Sequence, residues 1–236
     1  MHRHVKKLWT HDVGLTVLLG MLFFQIFVLY PFETSAVGKM MVHFSFALIL
    51  VSGAMTVVGT PIWGRVILVL VILSLIFRSV SCIYPSVLLE SLNALISAIF
   101  LILLIVVILL QVFREGRINA HRIAGAISVY LLIGMAWGSL YLFVDLQSPG
   151  SFSLAEVHTQ TGVHSVAVKL CYFSFITLTS VGYGDIYPIH PAALSLSMLE
   201  ALVGQLFPAI LLARLVSMEI EDRQKKHSNG LDDPGE

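Results

Sequence analysis

The sequence predicts an all-α membrane protein of six transmembrane helices, with a short re-entrant helix and a glycine-bearing loop between helices 5 and 6. Three observations predict it. The chain is 57% apolar and only 12% charged, with mean hydropathy +0.90, whereas a soluble domain carries about 25% charge. Apolar stretches near the roughly 20 residues that a helix needs to cross a bilayer recur along the chain. Lys and Arg fall mostly on one side of those stretches, as the inside-positive bias of membrane proteins requires.

The stretches run Val13–Tyr30, Met41–Gly59, Pro61–Phe77, Val87–Val112, Ile123–Leu146 and Pro191–Val216. Pro31, Gly38, Pro61, Pro85, Gly116 and Ser148-Pro149-Gly150 punctuate the gaps. A basic start before an apolar run also describes a signal peptide, but such cores span about 7–15 residues. Val13–Tyr30 is longer and is read as a retained helix. An arginine at mid-membrane costs about 2.5–3.5 kcal/mol. The third helix is therefore ended at Phe77, which leaves Arg78 at the outer interface with Glu90 as its partner. A seventh apolar stretch, Val166–Thr179, is too short to span and carries Lys169. It reads as a re-entrant helix, tolerated where protein or a water-filled cavity surrounds its ends.

With the amino terminus inside, the inner segments hold Arg3, Lys6, Lys7, Arg65, Arg114, Arg117, Arg122, Arg214, Arg223, Lys225 and Lys226. The outer segments hold Lys39, Arg78 and Lys169. Hydropathy and charge thus agree on both ends being cytoplasmic. A formal net charge of zero gives no electrostatic case for a nucleic-acid partner. Cys82 and Cys171 form neither a disulfide framework nor a metal-ligand pair, and His2, His4 and His11 stand without a supporting Cys, Asp or Glu cluster. No nucleophile–base or metal constellation marks an enzyme, and no nucleotide motif or cofactor site is present.

The informative motif follows the short helix: Thr177-Leu178-Thr179-Ser180-Val181-Gly182-Tyr183-Gly184-Asp185. A helix directed into the membrane presents about half a negative charge at its carboxyl end, which favours a cation there. Gly182 and Gly184 then permit backbone conformations closed to other residues. Successive carbonyls can face one direction, so four such strands would stack rings of oxygen around an axis.

This stretch resembles the potassium-channel signature, whose filter strips the ion of water with backbone carbonyls. The resemblance covers residues 118–218, the pore domain, and implies K+ at the carbonyls of Ser180, Val181, Gly182 and Tyr183, with the Ser180 hydroxyl serving the innermost site. Gly184 completes the strand and Asp185 sits at the outer mouth. Thr179 supports the filter from below, and Ser180, standing where the family usually has threonine, keeps the oxygen without the methyl. Tyr172 and Phe173 occupy the positions of the family's aromatic cuff around Tyr183. Their alternative is ordinary packing.

In the last helix, Gly204 lies where the resemblance places a gating hinge, with the helix-breaking Pro208 one turn later on the same face. The competing role for Gly204 is close helix packing. Glu200 and Gln205 are polar residues of that helix. Gln205 and Glu200 are the candidates to line the cavity below the filter; for Glu200 the alternatives are bracing the filter from behind, through a hydrogen bond to the short helix, or a place near the outer third of the membrane.

Residues 13–113 form a four-helix domain between the cytoplasmic tail 1–12 and the pore. A voltage sensor needs several spaced arginines in its fourth helix, yet Ser91–Val112 contains no Lys or Arg. Weak or absent voltage dependence is expected. Arg114, Arg117 and Arg122 could contact anionic lipid headgroups, and residues 219–236 read as a cytoplasmic tail too short for a ligand-binding domain. One signature per chain implies a homotetramer with an axial pore. The reading is a K+-selective channel in a prokaryotic inner membrane. The rivals are a non-selective monovalent cation channel and a non-conducting channel-like subunit.

Overall fold

The computed structural model describes residues 14–29, 36–57, 63–84, 86–113, 120–154 and 163–231. The amino-terminal tail, Arg114 and Arg117 of the basic loop, and the side chains of Arg65 and Arg78 lie outside the described residues, and with them the expected Arg78–Glu90 pair.

Among the described residues, seven helices and one small ribbon follow one another. Helix α1 covers Gly14–Leu29 and widens to a π-helix over Phe24–Leu29. After it come α2 (Ala36–Val57), α3 (Trp63–Ile83), α4 (Val87–Val112), α5 (Ala120–Gln147), strand β1 (Phe152–Leu154), α6 (Val163–Leu178), strand β2 (Ile186–Pro188) and α7 (Pro191–Leu231). Among the described residues, Val87–Val112, Ala120–Gln147 and Pro191–Ile220 are long and apolar enough to cross a membrane. Shorter apolar helical stretches lie at Gly14–Leu29, Phe44–Gly53, Leu68–Phe77 and Val166–Leu178.

The helices pack mainly in chain order: α3 against α2 and α4, α4 along α5, and α5 against both α6 and α7. Helix α4 begins at Ser86, whose hydroxyl accepts from the Leu89 amide. It buries Ala94, Ala98, Leu101, Leu104, Ile108 and Val112, a stripe at three- and four-residue spacing. Its other face leaves Ile99, Ile102, Val106 and Leu110 exposed, as suits a helix whose solvent is lipid. In lipid the hydrophobic effect does not drive helices together, so close van der Waals fit and interhelical hydrogen bonds do. Gly53 accordingly lies under the Leu104 side chain, and Gly125 against Val112 and Leu15. The Ser45 hydroxyl donates to the buried Gln25 side chain at 3.0 Å, and the Gln147 side chain donates to Ser91 at 2.7 Å.

Several features differ from the sequence reading, among them α2, which begins at Ala36 and runs through Gly38 instead of starting at Met41. Helix α3 continues past Phe77 and Arg78 to Ile83, because no helix breaker intervenes before Pro85. Helix α7 continues to Leu231, so residues 219–231 extend the helix and are not a loose tail. Glu219, Glu221, Arg223, Gln224, Lys225 and Lys226 are good helix formers, and the next proline is Pro234. The all-helical expectation also omitted the ribbon, in which Phe152 pairs with Pro188 and Leu154 with Ile186, antiparallel. Three-residue strands carry too little alternation to be read from sequence. The ribbon joins the chain before α6 to the chain after the signature loop, helped by the Ile189 amide donating to Ser151 O at 2.8 Å.

Gly20, within α1, has open space where a Cβ would stand. Gly20→Ala is expected to raise stability by about 0.5–1 kcal/mol, since Gly in a helix interior loses that much relative to Ala. The midpoint of detergent denaturation of the full chain measures it.

Candidate ion-conduction site

Helix α6 is held between α5 and α7 at close range. Gly134 and Gly138 lie on one face of α5. A Cβ on Gly138 would come 2.9 Å from Cys171 Cα, and one on Gly134 2.6 Å from the Phe175 ring. The α6 backbone therefore lies where only glycine admits it. From the opposite side, a Cβ on Gly204 of α7 would come 2.0 Å from the Leu178 carbonyl oxygen. That carbonyl, at the last residue of α6, also accepts from the Tyr130 hydroxyl at 3.3 Å.

A buried carboxyl ties the three helices together. Glu200 of α7 is fully buried, with Tyr141 of α5 donating to Oε2 and Ser174 of α6 lying beside Oε1, both at 2.5 Å. Ser174 Oγ is also 2.7 Å from the Gly134 carbonyl oxygen. A polar group buried this way is tolerated only when its hydrogen bonds are made, and both carboxyl oxygens are engaged. Glu200 thus stands behind α6, where it braces the helix. Below it, Gln205 reaches the loop itself: its Nε2 donates to Ser180 Oγ at 2.6 Å.

The loop leaves α6 with its amides turned back to the helix. Thr179 N donates to Phe175 O, Ser180 N to Thr177 O, and the amides of Val181 and Gly182 both to Ile176 O. These bonds satisfy carbonyls that a helix end otherwise leaves open. Beyond them, Ser180, Gly182 and Gly184 have φ of +58°, +55° and +78°. The intervening Val181 and Tyr183 do not share that sign. Alternating left-handed and ordinary residues rotate successive peptide planes so that neighbouring carbonyls face one side, whereas those of a strand alternate. For Ser180 the left-handed region costs about 1–2 kcal/mol, and such strain persists only where the surroundings impose it. Val181 is 52% exposed and Tyr183 73% exposed, so the strand has an open flank.

The remaining candidates separate by position. Tyr172 interacts through its hydroxyl with Asp185. Phe173 is buried against Tyr141 and Phe152, with ring centroids 5.2 and 5.5 Å away. It belongs to the packing between α5, β1 and α6. The Thr179 hydroxyl donates to Phe175 O at 2.7 Å. Pro208 sits inside an unbroken α7, and its missing N–H leaves the Gly204 carbonyl without its helical donor. Gly204 therefore has a packing reason to be glycine, and the backbone just there is one bond weaker.

Residues 126–221 match the profile of a family described as "Ion channel". Over 73 residues the chain is 41% identical to "Two pore potassium channel c" of Oryza sativa subsp. japonica, a match covering 31% of this chain and 15% of the rice protein. Over this region the chain is similar to ion channels, and the name of the rice relative describes a potassium channel. It is also 26% identical over 106 residues to "Protein LctB" of Bacillus caldotenax, covering 45% of this chain and 78% of that protein. No solved structure matches significantly. The pore region and its apolar helices make this an integral membrane protein of the ion-channel class.

Sequence reasoning missed Tyr130, Gly134, Gly138, Tyr141 and Ser174. The Gly134-x3-Gly138 spacing was a legible signal for close helix approach. Tyr141 and Ser174 carried none, because their roles come from Glu200, which lies 59 and 26 residues away.

Two substitutions test this arrangement. Gly204→Ala is expected to lose about 1–3 kcal/mol, because backbone and not a flexible side chain lies in the way; the thermal midpoint of the detergent-solubilised protein reports it. Glu200→Leu is expected to cost about 1–2 kcal/mol by removing the carboxyl that the Tyr141 and Ser174 hydroxyls bond, while Glu200→Gln keeps the shape and loses less. Equal midpoints for the two Glu200 variants would remove hydrogen bonding as the cause.

Proposed function

We propose that the chain is a subunit of a potassium-selective channel, in which four copies bring residues 180–184 around one axis. The observation that carries this is the alternation of positive φ at Ser180, Gly182 and Gly184. It aims the carbonyls of Ser180, Val181, Gly182 and Tyr183 to one side, where rings of four oxygens replace the hydration shell of K+. The Ser180 hydroxyl adds an innermost ring. The open flank at Val181 and Tyr183 is covered by neighbouring copies, and Tyr172 with Asp185 steadies the outer mouth. A rice relative whose name describes a potassium channel supports the same ion.

In this reading six helices cross the membrane, with α6 re-entrant and both ends cytoplasmic. The ion moves passively down its gradient, with no cofactor and no covalent step. Helix α4 carries no Lys or Arg over Val87–Val112, so it has no gating charge to move in the field, and opening is weakly or not voltage-dependent. Gly204 and Pro208 are where α7 would bend, and the basic segment near Arg122 meets lipid headgroups.

The test is flux into liposomes carrying the purified full chain. K+ uptake is expected to exceed Na+ uptake by at least about a hundredfold, to stop with Ba2+, and to vanish in Gly182→Asp. That variant places a bulky carboxylate at φ +55°, where side chains are strained. Equal Na+ and K+ uptake would replace this reading with a non-selective cation channel. No uptake at any voltage or pH, by protein that still forms tetramers, would replace it with a non-conducting subunit.

A further inference from the structure

The innermost filter residue is held by the last helix. Ser180 Oγ lies 2.6 Å from Gln205 Nε2, and nothing in the loop's own chemistry requires that bond. It exists because Gly204 lets α7 come against the Leu178 carbonyl, with 2.0 Å left where a Cβ would stand. The next side chain on α7 is then brought beside the second residue after Leu178.

The surroundings of Gln205 make its polarity notable. From Met198 to Ala213, Gln205 is the exposed polar residue of α7 among the described residues, with Leu202, Leu206, Ala209 and Ile210 around it. An ion approaching from that side would meet apolar wall, then one carboxamide, then Ser180. A carboxamide has two donors and one acceptor. With Nε2 spent on Ser180, the oxygen Oε1 is left for a cation or its water.

Serine also needs what this bond supplies. A serine hydroxyl turns more freely about χ1 than the β-branched side chain of threonine. Donation from Gln205 occupies one lone pair of Ser180 Oγ and restricts its rotamer, leaving the other lone pair directed. Alignment of four such oxygens is what separates a site built for one ion from a loose polar ring, since loose ligands adjust to the smaller Na+.

We infer that Gln205 is a specificity-determining residue: it positions the Ser180 hydroxyl and, as a ring of four side-chain oxygens, forms a cation site just inside the filter. This rests on the tetrameric potassium-channel reading. It also links α7 to the filter, because a bend at Gly204 displaces Gln205 directly.

The experiment is planar-bilayer recording of the full chain with Ba2+, a divalent ion of K+ size, added on the cytoplasmic side. Gln205→Leu is expected to weaken Ba2+ block about tenfold and to lower the K+/Na+ permeability ratio by a similar factor, a change the size of one net hydrogen bond for the whole ring. Gln205→Glu is expected to strengthen the block about tenfold. Adding Ser180→Thr to Gln205→Leu is expected to restore the K+/Na+ ratio but not the Ba2+ block, because the methyl group restrains the hydroxyl without replacing the oxygen ring. A structural defect would not be repaired so selectively. Should Gln205→Leu fail to assemble, Gln205→Asn, one methylene too short to reach Ser180, is read the same way. Variants that conduct with unchanged block and unchanged selectivity overturn the assignment of Gln205 and leave the channel reading standing. Wild-type protein without K+ selectivity overturns both.

Discussion

Residues 180–184 depend on a backbone that ordinary residues resist. Carbonyls of an extended strand point alternately left and right; to face one way, every second residue must enter the left-handed region. Two of the three positions that do so are glycine, and the third is Ser180. The strand cannot hold this shape by itself. Its first three amides are pinned to the last carbonyls of α6 and its first hydroxyl to Gln205, so the position of α6 sets where the strand starts.

That makes the packing around α6 the second requirement. Van der Waals contact and hydrogen bonds, not water exclusion, hold helices together in lipid. The pore region uses both. Gly134, Gly138 and Gly204 remove the side chains that would keep the helices apart, and Glu200, Tyr141 and Ser174 connect those helices through one carboxyl. The contacts on α7 are spaced by one turn, at Glu200 and Gly204, and the next residue meets the loop. A shift of α7 over Glu200–Gln205 would therefore be felt at the carboxyl end of α6 and at Ser180 together.

The first four helices, and their contacts with α5, use the same grammar with less polarity. Gly53 and Gly125 mark close approaches, and the pairs Gln25–Ser45 and Ser91–Gln147 supply isolated interhelical hydrogen bonds. Helix α4, the neighbour of the pore region, presents an apolar outer face and no arginine. It packs along the length of α5.

Several features were legible in the residues alone. Membrane residence followed from composition, because lipid tolerates few charges whatever the fold. The likeness to ion channels followed from a contiguous stretch, since the backbone geometry at Gly182 and Gly184 is a local property that glycine spacing announces, whereas the left-handed Ser180 carried no such signal. Helix existence was legible for the same reason, though α3 and α7 outran their apolar stretches, because a helix ends where a breaker stands and not where polarity begins. Tertiary structure alone decided that Gly204 faces the Leu178 carbonyl, that Glu200 meets Tyr141 and Ser174, that Phe173 turns to Tyr141 and Phe152, and that Gln205 holds Ser180. Each joins residues far apart in the chain, and their meeting depends on how three helices cross at close range, which no local pattern of residues encodes.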